Sequence, residues 1–168
     1  MRIVVADASA IVEYLFGSAV SGSIGAIVTD SDTDVHVPAL CDVEVAAAIR
    51  RAVLQRKITV DRAEEAVADY LDLPLIRHGN ERLMERILQR RANFSAYDAT
   101  YVTLAEALSA ALLSADRRLV RATRRHTKVQ LAFGGSERPR PTSLGRGHSG
   151  RGDLSEGSEE LLNGEDRA

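Results

Sequence analysis

The chain begins with the stretch Arg2-Ile3-Val4-Val5-Ala6-Asp7, a short β-branched run that ends in a carboxylate. An apolar run of this length is typical of a strand buried on both faces of a parallel sheet. Residues 8–16 follow with apolar side chains at helical spacing, among them Ile11 and Leu15. A buried strand that leads directly into a helix indicates an α/β fold.

The same alternation of strand and helix patterns continues to Phe133. Further strand-like runs cover residues 35–37, 71–76, 110–115 and 128–133, and helical patterns fill the intervals between them. Pro74 weakens the run at 71–76, because proline cannot donate to a strand ladder. We therefore predict a five-stranded parallel sheet flanked by helices on both faces.

The composition changes sharply after Phe133. Residues 134–168 hold eight of the twelve glycines, no Phe, Tyr or Trp, and only four leucines as large apolar residues. Such a segment buries too little apolar surface to offset the entropy lost on ordering. We predict a folded domain at 1–133 and a Gly-rich disordered C-terminal tail at 134–168, which carries the whole net charge of −2.

Composition also excludes several classes of protein. No stretch approaches the ~20 continuous apolar residues of a membrane span, and Asp7 and Glu13 interrupt the apolar pattern that a signal peptide would need. Cys41 is the only cysteine, so no internal disulfide is possible, and its apolar setting predicts a core residue. A cytoplasmic protein without membrane contact is expected, since single-cysteine chains fit a reducing compartment.

Four acidic residues form the candidate site: Asp7, Glu44, Asp98 and Asp116. Each lies where an apolar, strand-like run gives way to a helical pattern. The carboxyl ends of parallel strands share one edge of the sheet, where such folds place their active sites. Clustered carboxylates repel one another unless a hard cation binds between them, so the pattern predicts Mg²⁺ or Mn²⁺. Phosphodiester chemistry is the leading function for such a site.

Each acid also has a purely structural interpretation. Asp7 and Asp116 suit the N-cap position of the helices that follow them. Glu44 complements a helix dipole, and Asp98 stands three residues after Ser95, at the spacing of a capping box. The two interpretations coexist, because a helix N-terminus keeps a carboxylate in the ionised state that a metal ligand requires.

Two further groups flank the acids. Ser9 and Ser114 each lie two residues from an aspartate, and are either contacts for water or phosphate or local cap hydroxyls. Basic residues form two sets, which are either RNA phosphate contacts or solvated helix faces. They are Arg82, Arg86, Arg90 and Arg91, and Arg117, Arg118, Arg121, Arg124, Arg125 and Lys128.

These acids and their surroundings resemble the PIN-domain ribonucleases, and among them the VapC-type toxins of bacterial toxin–antitoxin pairs. The resemblance covers residues 2–133 and is most specific in its two later stretches. The matching stretches are Ile3-Val4-Val5-Ala6-Asp7-Ala8-Ser9-Ala10, Val37-Pro38-Ala39-Leu40 with Glu44 beyond it, Asn93-Phe94-Ser95-Ala96-Tyr97-Asp98-Ala99-Thr100-Tyr101-Val102, and Leu112-Leu113-Ser114-Ala115-Asp116-Arg117-Arg118-Leu119.

The resemblance implies a PIN-like three-layer sandwich, Mg²⁺- or Mn²⁺-dependent endoribonuclease activity, a homodimer and inhibition by an antitoxin protein. It implies that Asp7 and Asp98 are the main metal ligands, that Asp116 completes the site, and that Glu44 lies opposite. The chain departs from the family pattern at Ala47, where such toxins often carry Asn, and in the 134–168 tail, which has no counterpart.

Three other functions compete with this one. A haloacid-dehalogenase-like phosphatase needs a second Asp two residues after Asp7, where Ser9 stands. A receiver domain needs an acidic pair near the first strand and a lysine at the end of the fifth, whereas Lys128 is predicted to begin that strand. A catalytically silent PIN-like module that binds RNA or a partner gains nothing from four clustered acids, and failure to bind divalent metal would favour it.

Overall fold

Five strands form one parallel sheet in the order β3-β2-β1-β4-β5 in the computed structural model, which describes residues 2–133. The strands are β1 (Arg2–Ala6), β2 (Thr33–Pro38), β3 (Leu75–His78), β4 (Ala111–Leu113) and β5 (Leu131–Phe133). The helices are α1 (Ala8–Leu15), α2 (Ser21–Val28), α3 (Leu40–Leu54), α4 (Val60–Asp72), α5 (Met84–Gln89), α6 (Ala96–Ala107) and α7 (Arg117–His126), with a 3₁₀ turn at Glu81–Leu83 before α5.

The predicted α/β class and five-stranded parallel sheet are confirmed. Strand β1 is central, pairing in parallel with β2 on one side and β4 on the other, and Val4, Val5 and Ala6 are fully buried. Helices α1, α3 and α4 pack against one another, whereas α6 packs on β1, β2 and β4. Right-handed crossovers place α1–α4 on one face of the sheet and α5–α7 on the other, which gives three layers.

The predicted third strand at 71–76 is wrong in its position. Helix α4 continues to Asp72, because its buried face of Ala63, Ala66 and Tyr70 keeps helical spacing to the end. Pro74 fixes its own φ and lacks an N–H, so it separates helix from strand instead of interrupting a strand. The paired strand β3 therefore begins at Leu75.

The carboxyl edge of the sheet carries the candidate site. Strand β1 ends at Ala6 and β4 at Leu113, and these two residues are paired neighbours. Helix α6 leads into the start of β4, so its own first turn lies at the opposite, carboxyl edge. No helix in residues 2–133 is long and apolar enough to cross a membrane. The predicted disordered tail at 134–168 lies outside the described residues.

Candidate active site

Asp7 follows β1 directly and is buried, with 4 % of its surface exposed. As predicted, it caps α1: its Oδ1 accepts a hydrogen bond from Ala10 N at 3.0 Å. Ser9 Oγ donates to Oδ1 at 2.6 Å and Ser114 Oγ donates to Oδ2 at 2.7 Å. Burial raises the pKa of Asp7 to about 6 although these bonds oppose it, and the nearby charge of Asp116 raises it further. No basic side chain of residues 2–133 forms an ion pair with it.

The two serines join the ends of β1 and β4. Ser9 Oγ accepts hydrogen bonds from Ala115 N and Asp116 N, both at 3.0 Å. Asp116 N also donates to Ser114 Oγ at 3.0 Å. The serines are therefore more than local cap hydroxyls, because Ser9 contacts residues 106 and 107 positions away. Asp116 itself is exposed and caps α7 by accepting from Arg118 N at 2.7 Å.

Glu44 lies in α3, and a buried tyrosine connects it to the rest of the site. Tyr101 in α6 is 3 % exposed, and its hydroxyl donates a hydrogen bond to Glu44 Oε2. Burial raises the pKa of Tyr101, and Cys41, Glu44 and Asp7 each add to the rise. Cys41 is fully buried, as predicted for a core residue, and burial raises the pKa of its thiol to about 11.

Asp98 lies in the first turn of α6, where its backbone N–H donates to Ser95 Oγ at 3.1 Å. It follows helix α5 and a turn, so the expectation that it comes after a strand-like run is wrong. The direction of α6 nevertheless places Asp98 at the carboxyl edge. Within residues 2–133 its carboxylate makes no hydrogen bond with Asp7, Glu44 or Asp116.

The carboxylate oxygens of the candidate acids are the kind of ligand that a hard divalent cation binds. Asp7 offers a buried carboxylate that hydroxyl and amide donors orient but no cation neutralises, and Asp116 adds a second negative charge close by. Carboxylate oxygens are the ligands that Mg²⁺ prefers. In residues 2–133, however, no three His, Cys, Asp or Glu side chains converge closely enough to hold a metal. The four-acid metal site therefore stays a prediction.

The arginines of α7 share one outer face of that helix. Leu119 and Thr123 are buried, and at ~100° per residue the arginines at 117, 118, 121, 124 and 125 fall within an arc of roughly 120° on the other side. Within the described chain, Arg118, Arg121, Arg124 and Arg125 pair with no acidic side chain. This face starts one residue after Asp116.

The second basic set is only partly available for a ligand. Arg90 forms an ion pair with Glu106 and lies over the Phe94 ring, 5.9 Å from its centroid, so it supports the fold. Arg82, Arg86 and Arg91 are exposed. Phe94 also packs edge-on against His126 at the end of α7, with ring centroids 6.2 Å apart. That contact brings the segment after α5 next to the basic helix.

Tyr101 contacts the candidate acid Glu44, and the sequence did not predict this contact. The signal for it is chemical: a buried tyrosine needs a partner for its hydroxyl. An open cavity of about 370 Å³ lies elsewhere, at the amino edge of β4, and is lined in part by Glu106, Ser109 and Lys128. None of the four candidate acids lines it.

Comparison with known proteins defines the class. The PIN domain model matches residues 4–125, and the chain belongs to the PIN domain family. Its relatives there are VapC ribonucleases. Ribonuclease VapC12 of Mycobacterium tuberculosis is 32% identical over 128 residues, which cover 76% of this chain and 98% of VapC12. Ribonuclease VapC9 of the same species is 44% identical over 84 residues, 50% of this chain; the match spans 66% of VapC9.

Solved structures support the fold alone, since their sequence identities are low. The crystal structure of PAE2754 from Pyrobaculum aerophilum superimposes with a TM-score of 0.56 at 18% identity, covering 77% of this chain and 83% of that one. Mycobacterium tuberculosis VapC20, described as a toxin that cleaves the sarcin-ricin loop, superimposes with a TM-score of 0.53 at 16% identity. The match covers 71% of this chain and 94% of the VapC20 chain.

Proposed function

We propose that this protein is a metal-dependent endoribonuclease, the toxin of a toxin–antitoxin pair that limits translation and growth. One observation carries the proposal: the buried Asp7 carboxylate is oriented by Ser9 and Ser114 beside Asp116, at the edge where parallel α/β folds build active sites. A charged group buried without a basic partner is costly and suits a cation site better than a structural cap.

Each of the four acids has a proposed role in binding the metal or in orienting water. Asp7 and Asp98 would be the main ligands of Mg²⁺ or Mn²⁺, and Asp116 would complete the site directly or through water. Glu44 would lie opposite and would hold a second metal or orient the attacking water. A bound metal lowers the pKa of its water and offsets charge on the transition state. Ser9 and Ser114 fix the Asp7 carboxylate by donating to both of its oxygens.

The substrate is RNA, bound through its phosphates on the arginine face of α7. Arginine recognises phosphate through several N–H donors, and such contacts weaken as salt rises. The VapC relatives also support three finer proposals: a homodimer, inhibition by a cognate antitoxin protein, and action in the cytoplasm.

The test is cleavage of total bacterial RNA by the purified protein with Mg²⁺, Mn²⁺ or EDTA, with Asp98→Asn as control. Discrete fragments that require metal and vanish in the variant are expected. Their mapped ends would name the target. Absence of cleavage together with absence of divalent metal binding would overturn the proposal and favour a silent binding module.

A further inference from the structure

A buried hydroxyl connects the two helices that carry Glu44 and Asp98. Tyr101 lies three residues after Asp98 in α6, so the two side chains share one face of that helix. The Tyr101 hydroxyl reaches Glu44 on α3, 57 residues earlier in the chain. Its phenol is also close enough to Asp7 for that carboxylate to act on it electrostatically.

The Tyr101 bond is what fixes Glu44. Within residues 2–133 the Glu44 carboxylate makes no other hydrogen bond and no ion pair. A partly buried glutamate retains rotamer freedom worth up to ~2 kcal/mol, so a single well-placed donor decides where its charge lies. The donor is rigid, because the phenol is packed in the core.

We propose that Tyr101 is a positioning residue of the acidic site, whose hydroxyl fixes the orientation of the Glu44 carboxylate. The inference rests on the proposed nuclease function and deepens it. Groups that orient a metal ligand or a catalytic carboxylate act through hydrogen bonds of this kind, and losing one typically costs ~10–100-fold in metal affinity or activity. Phenylalanine would fill the same volume, so the hydroxyl alone is at issue.

The chain contains a matched control. Tyr70 in α4 is also buried, and its hydroxyl donates at 2.6 Å to Asp42, another acid of α3. Both phenols lie near the Cys41 thiol. Asp42 is outside the predicted site and is held in addition by Arg77, whose Nε donates to it at 2.9 Å. Tyr70→Phe thus removes an equivalent buried hydroxyl without touching Glu44.

The experiment compares Tyr101→Phe, Glu44→Gln, their double variant and Tyr70→Phe in the full chain. Thermal unfolding first selects the variants that fold. Cleavage of one mapped RNA then gives kcat, KM and the Mn²⁺ concentration for half-maximal rate, and calorimetry gives the Mn²⁺ affinity without RNA. We expect Tyr101→Phe to lower kcat or weaken Mn²⁺ binding ~10-fold or more, with KM for RNA unchanged.

The double variant separates positioning from packing. We expect it to match Glu44→Gln within about two-fold, because Tyr101 acts only through Glu44. We also expect Tyr70→Phe to keep wild-type kcat and Mn²⁺ affinity. Wild-type kcat and metal affinity in Tyr101→Phe, an equal loss in Tyr70→Phe, or a full additional loss in the double variant would each overturn the proposal. A wild-type protein that cleaves nothing would instead contradict the proposed function.

Discussion

Among single residues, Asp7 shows a conflict between stability and function: its buried charge destabilises the metal-free fold, and the proposed metal site requires that charge. Three donors hold its carboxylate, yet burial still raises its pKa to about 6. An acid whose pKa is raised on folding binds more protons in the folded state, so the metal-free protein loses stability as pH rises from ~4 to ~6. Between those limits the loss amounts to on the order of 2–3 kcal/mol.

The variant Asp7→Asn tests how much stability the buried Asp7 charge costs. The variant should lose cleavage while its metal-free form gains roughly 1–3 kcal/mol in free energy of unfolding at pH 7.5, because the buried charge disappears and asparagine still caps α1. Urea denaturation in EDTA between pH 4 and 8 measures it, with Asp116→Asn as the exposed control. A pH profile unchanged from wild type, or full metal-dependent cleavage by the folded variant, would contradict the assignment.

Ser9→Ala tests the link between the two strand ends. Removing Oγ leaves the N–H groups of Ala115 and Asp116 without that acceptor and removes one of the two donors to Asp7 Oδ1, where Ala10 N remains. We expect a loss of ~1–3 kcal/mol in free energy of unfolding, together with reduced kcat. Ser18→Ala, whose hydroxyl serves only a local turn, is the control. Equal stability of the two variants would show that the Ser9 contacts are unimportant.

The sequence predicted which residues approach the carboxyl edge of the sheet, but not the hydrogen bonds that connect them. Asp7 could be placed because a β-branched strand runs into it. The bonds from Ser9 to Ala115 and from Tyr101 to Glu44 span 106 and 57 residues, and they depend on side-chain packing that no local pattern encodes. Spacing alone therefore gave Tyr101 no role and left Ser9 with two interpretations.

At the scale of the element, helix α7 combines a cap at the active edge with a basic face. Leu119 and Thr123 are buried on its inner face, and its arginines face outward. The sequence predicted this helix well, because the alternation of apolar and basic residues is strong. It misplaced β3, because Pro74 ends a helical pattern as readily as it interrupts a strand.

Arg121→Gln with Arg125→Gln tests the basic face. If these side chains contact RNA phosphates, KM should rise, kcat should stay within about two-fold, and the slope of log affinity against log salt should fall by about one per lost contact. Arg50→Gln with Arg51→Gln changes the same charge on exposed residues of α3 and serves as the control. Identical salt dependence in both double variants would remove α7 from the RNA-binding surface.

In the molecule as a whole, the five strands of the described sheet and the four candidate acids lie within residues 2–133. We propose that residues 1–133 form the complete nuclease domain. The 1–133 fragment should unfold cooperatively at the Tm of the full chain and cleave RNA at the same rate. Because the tail carries the net charge, the fragment should be less soluble at low salt near pH 7. Loss of folding or of cleavage would show that the tail belongs to the domain.

If the protein is the proposed nuclease, its acidic edge binds a divalent metal that cleavage requires. Calorimetric titration of Mn²⁺ into wild type, Asp7→Asn and Asp98→Asn, without RNA, tests it most directly. We expect saturable binding by the wild type and at least ~10-fold weaker binding by both folded variants, in parallel with their loss of cleavage. Equal Mn²⁺ affinity in all three proteins, or RNA cleavage that persists in EDTA, would contradict it.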